Sequence, residues 1–366
     1  MAAIREINRL DDLDALRQDW RSLLAQTPGA SFFQSLEWLE AYWRHFGDGQ
    51  TLRVIVVSEN DRPTGIVPLT IRTERTRLGK VRVLTYPLHD WGSFYGPIGA
   101  DPGPTLARAI EHVRHAPRHW DFLELRWQGA PDTNPIETAQ ALQAAGFQAM
   151  QTVWDRTSVV DLDGTWESYL STRKGAWLRR FRHAERKLAG QGEVSYVRYR
   201  PAGELAGDGD PRWDLYDACE EIAQRSWQGK ATNGTTLSHP SVRGFLREAH
   251  QAASAAGAVD LSLLLLDGSP VAFVYGYHMR GYVYGLRRGY DVARAKEGAG
   301  NVLLAYTLRD SFSRRDRLYD MGVGSFSSKR HFQTRVIPIL RYSHFPPTAL
   351  RAQFLRLKRW LQSRRA

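Results

Sequence analysis

The chain has 366 residues, of which 42% are hydrophobic, and its 12 Trp, 15 Tyr and 14 Phe exclude an intrinsically disordered protein. This length predicts two domains or one large one, and the single cysteine, Cys219, excludes an internal disulfide and a cysteine-based zinc cluster. The net charge of +11 is concentrated in residues 171–190, with seven Lys or Arg and one Glu, and residues 348–366, with six Lys or Arg and no acid.

The chain begins MAAIREINRLDDLDALRQ, which lacks the continuous apolar stretch of a signal peptide. No apolar run in the sequence reaches the length of a membrane span. We therefore expect a cytoplasmic protein.

The first half of the chain alternates between helical and extended patterns of apolar residues. In order, these patterns predict helices at 13–24 and 36–46, strands at 52–58, 65–71 and 81–86, a helix at 104–115, a strand at 122–127, a helix at 135–145 and a strand near 157–162.

The second half repeats this order. It predicts helices at 213–226 and 241–256, strands at 259–266, 271–279 and 282–290, a helix at 300–313 and a strand at 318–322, followed by a strand at 335–342 and a C-terminal helix. Asn60 to Pro63 and Asp267 to Pro270 have matching turn chemistry. The sequence thus predicts an α/β (α+β) protein with two tandem α-α-β-β-β-α-β domains, each a mixed twisted sheet flanked by helices. The predicted boundaries are 1–164, a basic connecting helix at 165–192, 193–347, and a basic amphipathic helix at 348–366.

Both basic segments are also amphipathic. The connecting helix carries an apolar stripe that includes Trp177, Phe181 and Leu188, which predicts packing against one or both domains. The C-terminal helix has its own stripe, made of Leu350, Phe354, Leu357 and Leu361. Such a helix is typical of contact with anionic lipid, here at the inner face of the membrane, and equally of docking on its own domain.

Residues 281–329 carry the clearest signal for a ligand. A predicted strand is followed by a basic, glycine-containing turn, then by a helix and a short strand. This order presents free backbone N–H groups and a helix dipole to a phosphate. It therefore indicates a phosphate-bearing cofactor.

Four motifs, in order along the chain, carry a resemblance to a known family. They are 32–39 (FFQSLEWL), 225–230 (RSWQGK), Tyr290-Asp291 with the glycine turn at 298–300, and 320–324 (DMGVG) with Lys329. Together they resemble the GNAT acyltransferase superfamily and its tandem branch, which includes the Fem-type aminoacyl transferases. The resemblance is greatest to the cellulose-biosynthesis-type (BioF2-like) acetyltransferase family.

The resemblance implies two tandem GNAT-like domains and an acyl-CoA donor, such as acetyl-CoA, bound by the second half without a metal. The implied donor-binding residues are Arg287, Arg288, Arg294, Lys296, Gly298, Gly300 and Asn301. The usual loop reads Gln/Arg-x-x-Gly-x-Gly, whereas Ala295 holds its first position here. Arg294 and Lys296 on either side of Ala295 supply cations instead.

Catalytic and acceptor-binding residues follow from the same resemblance. Asp320, Asp291 and Lys329 are the candidates for orienting the acceptor or stabilising the oxyanion. The candidates for the wall of the acceptor cleft are Trp227, Lys230, Trp91 and Tyr95. Each has a structural alternative: a turn-capping aspartate, a surface lysine or a core aromatic residue.

The implied reaction transfers an acetyl or other acyl group to an amine or hydroxyl of an envelope sugar, a polysaccharide precursor or a lipid-linked glycan. One alternative is a Fem-like aminoacyl transferase using charged tRNA, although no coiled-coil arm is evident; otherwise no nucleic-acid partner is expected. Another alternative is a non-catalytic GNAT-like scaffold.

Overall fold

The computed structural model describes residues 2–76, 79–130, 133, 135–201, 210–226, 236–295, 298–324 and 326–363. Its strands are β1 (Ala2–Ile7), β2 (Thr51–Glu59), β3 (Arg62–Thr76), β4 (Gly79–Thr85), β5 (Phe122–Gln128), β6 (Ala149–Asp161), β7 (Val194–Tyr199), β8 (Val259–Leu266), β9 (Ser269–Met279), β10 (Tyr282–Tyr290), β11 (Leu318–Asp320) and β12 (Arg335–His344). Its α-helices are α1 (Arg17–Gln26), α2 (Leu36–Phe46), α3 (Pro102–His115), α4 (Pro135–Ala144), α5 (Trp166–Ser171), α6 (Gly175–Ala189), α7 (Trp213–Arg225), α8 (Pro240–Ala255), α9 (Ala299–Arg314), α10 (Phe326–Lys329) and α11 (Leu350–Ser363).

The chain forms two compact units. Unit 1 comprises Met1–Asp155 and Pro338–Ala366, and unit 2 comprises Arg156–Ile337. These units differ from the predicted domains, because the chain returns to unit 1 when β12 pairs antiparallel with β5, with Leu340 opposite Gln128. The segment predicted as a connecting helix lies within unit 2.

In unit 1 the sheet order is β1-β2-β3-β4-β5-β12. The neighbouring strands are antiparallel except β4 and β5, which are parallel, with Val83 opposite Phe122. Parallel neighbours need a crossover connection, and α3 supplies it.

In unit 2 the order is β6-β11-β10-β9-β8-β7. Again one neighbouring pair is parallel: β10 and β11, with Tyr282 opposite Leu318, joined by α9. The two units therefore share a hairpin, a third strand, a crossover helix and a parallel fourth strand. This confirms the predicted α/β class, with strands of mixed direction flanked by helices in each unit.

The basic segment is two helices rather than the single one predicted. A capping box at Thr165 starts α5, and the extended backbone of Lys174 separates α5 from α6. Trp177 and Phe312 belong to one buried cluster, and Leu188 to a second that includes Val302. The apolar stripe of α6 therefore packs on α9 within unit 2, where each large side chain contributes about 1.5–3 kcal/mol by leaving water.

Candidate functional site

A cavity in unit 2 opens where β10 and β11 diverge. The two strands pair through only three residue pairs, the last of which is Tyr284 with Asp320. From Gly285 onward, β10 pairs with β9 alone among the described strands, with a bulge between Gly285 and Arg287. A cavity of about 790 Å³ lies there, lined by 285–290, the start of α9 and the loop after β11.

The N-terminus of α9 forms one wall of this cavity, and Gly298, Gly300 and Asn301 line it. Gly298 caps the helix with φ at 88°, and a Cβ there would lie 3.0 Å from the Cβ of Ala184 on α6. Both the left-handed turn and the close approach of α6 therefore favour glycine at this position. A helix N-terminus presents backbone N–H groups and a positive dipole end to an anion.

Arg287 and Arg288 also line the cavity, from opposite faces of β10. Arg288 lies opposite Val274 and thus shares the sheet face that packs against α9. Its Nη2 donates to Ser328 Oγ at 3.0 Å, while its Nη1 is buried without a hydrogen-bond partner among the described residues. Burial lowers the pKa of Arg288. An anionic ligand bound in the cavity would supply the hydrogen-bond acceptor that Nη1 of this guanidinium lacks among the described residues.

Of the two other predicted donor-binding cations, Arg294 does not take part in this arrangement. Arg294 is exposed in the turn before α9 and is not among the described residues that line the cavity. Lys296 lies outside the described residues.

Asp320 and Lys329 hold the loop after β11. Asp320 is buried, and its Oδ1 accepts hydrogen bonds from Thr157 Oγ1 and from the Gly322 backbone N–H. Lys329 lines the cavity, and its Nζ donates to the carbonyl oxygens of Gly322 (2.6 Å) and Val323 (2.7 Å). The pKa of Asp320 is raised, because the effect of burial outweighs the opposite effects of the Thr157 and Gly322 hydrogen bonds and of the charge of Lys329. These contacts favour the turn-capping interpretation of Asp320.

Asp291 has a similar position in the loop before α9. It is buried, its Oδ1 accepts from the Ala293 N–H at 2.9 Å, and its Oδ2 lies 3.2 Å from Arg225 Nε. The side chain thereby closes an Asx-type turn that leads the chain towards Gly298. It is not among the described residues that line the cavity.

The corresponding position in unit 1 is filled. The cavity beside the start of α3 measures about 70 Å³ and is lined partly by Phe94, Tyr95 and Trp127. Prolines at 102 and 104 remove backbone N–H groups from the first turn of α3. Among its described residues, unit 1 therefore offers neither the space nor the donors that unit 2 has at this position.

Two of the predicted acceptor-wall residues, Trp91 and Tyr95, do not line the unit 2 cavity. Trp91 and Tyr95 are buried in unit 1, where the Tyr95 ring packs against Tyr86 with centroids 5.2 Å apart. Trp227 and Lys230 lie outside the described residues. Sequence reasoning missed Ser328, which fixes Arg288; its only signal was its position beside Lys329.

In the described part of the chain, no three His, Cys, Asp or Glu side chains are grouped so as to hold a metal ion. Nor does any described helix combine the length and apolar character needed to cross a membrane.

Comparison with known proteins identifies the fold. Residues 176–330 match a family model described as an acetyltransferase (GNAT) domain. The crystal structure of FemX is similar with a TM-score of 0.62 and 10% identity, covering 94% of this chain and 98% of that one. No curated protein matches the sequence.

Two further solved structures are similar. The C-terminal domain (DUF2156) of a putative lysylphosphatidylglycerol synthetase from Agrobacterium fabrum gives a TM-score of 0.58 at 12% identity, covering 93% of this chain and 95% of that one. A conserved protein of unknown function from Bacteroides thetaiotaomicron gives 0.54 at 13%, covering 94% and 100%. At these identities the likeness shows the fold. Since β10, α9 and the loop after β11 all lie within 176–330, the candidate site belongs to the part of the chain that matches a GNAT acetyltransferase domain.

Proposed function

We propose that the protein is an acyltransferase that moves an acetyl or other acyl group from acyl-CoA to an amine or hydroxyl of an envelope sugar or polysaccharide precursor. The observation that carries the proposal is the cavity between the diverging strands β10 and β11, with the N-terminus of α9 in its wall. Its position within the region that matches an acetyltransferase domain supports the same reaction class.

The residues present fit a donor that bears phosphates. Gly298 and Gly300 keep the start of α9 open to an anion, and Arg288 has an N–H without an acceptor among the described residues. When bound, the donor supplies an activated thioester carbonyl. Beyond Gly285, the side of β10 opposite β9 pairs with no described strand, and we propose that a backbone N–H on this side stabilises the developing oxyanion.

The reaction forms two bonds and breaks two. The acceptor nitrogen or oxygen bonds to the carbonyl carbon and loses a proton, while the carbon–sulfur bond breaks and the thiolate takes a proton. Asp320 and Lys329 contribute by fixing the loop that bounds the cavity. The acceptor class rests on the resemblance to cellulose-biosynthesis-type acetyltransferases, and a lipid-linked glycan belongs to the same class. We propose a cytoplasmic location for this reaction.

A second candidate function is aminoacyl transfer from charged tRNA, as in the Fem-type enzymes. One observation favours it: α6 packs on α9 through Trp177 and Leu188 and exposes Arg179, Arg182 and Arg186 beside the helix that lines the cavity. An exposed basic face of this kind would bind phosphates with a steep dependence on salt.

The test is calorimetric titration of the full chain with acetyl-CoA and with longer acyl-CoAs. We expect saturable one-site binding that is lost in Gly300→Trp, because the indole would occupy the part of the cavity beside the start of α9. Gly175→Trp is the control, since Gly175 is exposed at the start of α6 and a Cβ there would meet only Arg179 Nη1, at 3.6 Å. It should fold and keep the affinity of the unaltered protein.

Failure of the unaltered protein to bind any acyl-CoA would overturn the proposal, as would equal binding by Gly300→Trp. Salt-sensitive binding of charged tRNA in its place would establish the second candidate. Intact binding without acyl transfer to amine or hydroxyl acceptors would indicate a non-catalytic scaffold.

A further inference from the structure

The helix α11 is docked on unit 1 by one face. Ala352 and Leu355 are buried in a cluster with Val83, Phe122 and Phe345. Arg359 reinforces this contact through the buried carboxylate of Glu124 and through Ser343 Oγ at 3.0 Å. These contacts fix the rotation of the helix about its own axis.

The opposite face of α11 is an exposed apolar stripe. Leu350, Phe354, Leu357 and Leu361 are 76%, 62%, 53% and 46% exposed. At 3.6 residues per turn these four positions fall within an arc of about 60°, roughly opposite Ala352 and Leu355. Among the described residues, twelve large hydrophobic side chains are exposed, and five of them lie on α11. The stripe is therefore a concentrated feature rather than ordinary surface scatter.

Basic side chains flank this stripe on both sides. Arg351 and Lys358 project on one side and Arg356 on the other, and all three are exposed. Lys80 and Arg118, which are also exposed, adjoin the helix: Arg351 donates to the carbonyl oxygen of Lys80, and Arg118 donates to Thr348 Oγ1. Residues 348–366 contain no acid. The surface is apolar at its centre and positive at its margins.

A groove of about 740 Å³ runs beside the stripe. Leu357 and Trp360 of α11 form part of its wall, together with Met150 and Phe345. The apolar surface therefore continues from the helix onto other parts of unit 1.

We propose that α11 docks the protein on an anionic lipid bilayer. The stripe enters the boundary between headgroups and acyl chains, while Arg351, Arg356 and Lys358 meet lipid phosphates. The helix lies in the plane of the interface, since its 14 residues extend only about 21 Å. A second copy of the chain fits this surface less well than a lipid bilayer does. A symmetric contact between two α11 helices would bring their basic side chains together, and residues 348–366 contain no acid to pair with them.

The experiment is co-sedimentation of the full chain with phosphatidylcholine vesicles, with and without phosphatidylglycerol. We expect binding to the anionic vesicles that falls at least ~10-fold in the double variant Phe354→Ser, Leu357→Ser, since two large side chains no longer leave water. The control is Ile136→Ser, which removes an apolar side chain that is 59% exposed on α4 and should leave binding unchanged. Replacing Arg351 and Lys358 by Gln should weaken vesicle binding by about 5-fold per charge removed. Added salt should also weaken the binding, because it screens the attraction between the basic side chains and the lipid phosphates.

Equal vesicle binding by the double variant, or no binding by the unaltered protein, would overturn the proposal. Dimers that this variant disperses, without vesicle binding, would assign the stripe to a second copy instead. Each variant should keep its circular dichroism spectrum and its affinity for acyl-CoA. The docking proposal and the proposed function can therefore fail independently.

Discussion

At the scale of single residues, the side chains with the most reactive chemistry mainly hold loops. Asp320, Asp291 and Lys329 each bind backbone groups of the turn that they start or close. The groups that can bind a ligand are instead the guanidinium of Arg288 and the backbone at the start of α9. The sequence indicated these positions, but it could not show that Thr157, 163 residues away, donates to Asp320.

Lys329 offers a direct test of this assignment. Lys329→Met removes two charge-assisted hydrogen bonds and leaves two carbonyl oxygens without their donor, so we expect the free energy of unfolding to fall by about 2–4 kcal/mol. Urea unfolding measures it. The neighbouring Arg330 is exposed, and Arg330→Met should change the value by no more than about 0.5 kcal/mol. If both variants are equally stable, Lys329 does not hold the loop.

At the scale of elements, agreement is closest where periodicity is strong and local. Helix 36–46 and strands 259–266 and 282–290 have the predicted bounds. The sequence analysis missed β7, partly because it contains Arg198, a residue type typical of surfaces. In the structure Arg198 is buried against Asp260, which is 62 residues later in the sequence. The ion pair with this carboxylate offsets the cost of removing the guanidinium from water. A pairing across such a separation leaves no local pattern.

The start of α9 can be tested through its two glycines. Gly298→Ala places a Cβ 3.0 Å from Ala184 at a left-handed φ, so we expect a loss of about 1–2 kcal/mol in the free energy of unfolding. Gly300→Ala adds a Cβ that makes only van der Waals contact with Tyr290, 3.4 Å away, and should change the value by no more than about 0.5 kcal/mol. Thermal or urea unfolding compares the two. Equal losses would mean that the turn at Gly298 does not require glycine.

At the scale of the whole molecule, the repeated order of elements was predictable, whereas the partition of the chain was not. The tandem order follows from two similar runs of patterns, and both units show it. The return of β12 to unit 1 depends on pairing with β5, more than 200 residues earlier, which composition does not reveal. One result is that the two basic helices belong to different units, α6 to unit 2 and α11 to unit 1.

Stability should depend on pH through two imidazoles of unit 2, those of the buried His250 and the half-buried His278. Burial lowers the pKa of His250 and that of His278 to about 4. The unfolded chain binds protons at these groups from about pH 6.5 downwards, whereas the folded chain does not. The free energy of unfolding should therefore fall as the pH drops from about 6.5 to about 4, by about 1.4 kcal/mol per pH unit for each group.

Urea unfolding at about pH 7.5 and about pH 5 measures this loss. His250→Gln should reduce the difference between the two pH values by about 2 kcal/mol, whatever it does to stability at neutral pH. Carboxylates such as Glu6, whose pKa is lowered to about 2 by its contact with Arg53, change the free energy of unfolding only below about pH 4.5. An unchanged pH difference in the variant would show that His250 is not a buried neutral group.

The filled position in unit 1 has a consequence for how each unit tolerates change. Phe94 and Tyr95 occupy space that unit 2 keeps open beside Gly300, so replacing them disturbs packing and alters how much folded protein a cell contains. Replacing Gly300 alters what each folded molecule can do. Selection should therefore act on substitutions at this position of unit 1 through the amount of folded protein, and on those of unit 2 through the activity of each molecule. Two units with the same order of elements can then diverge in sequence under different constraints.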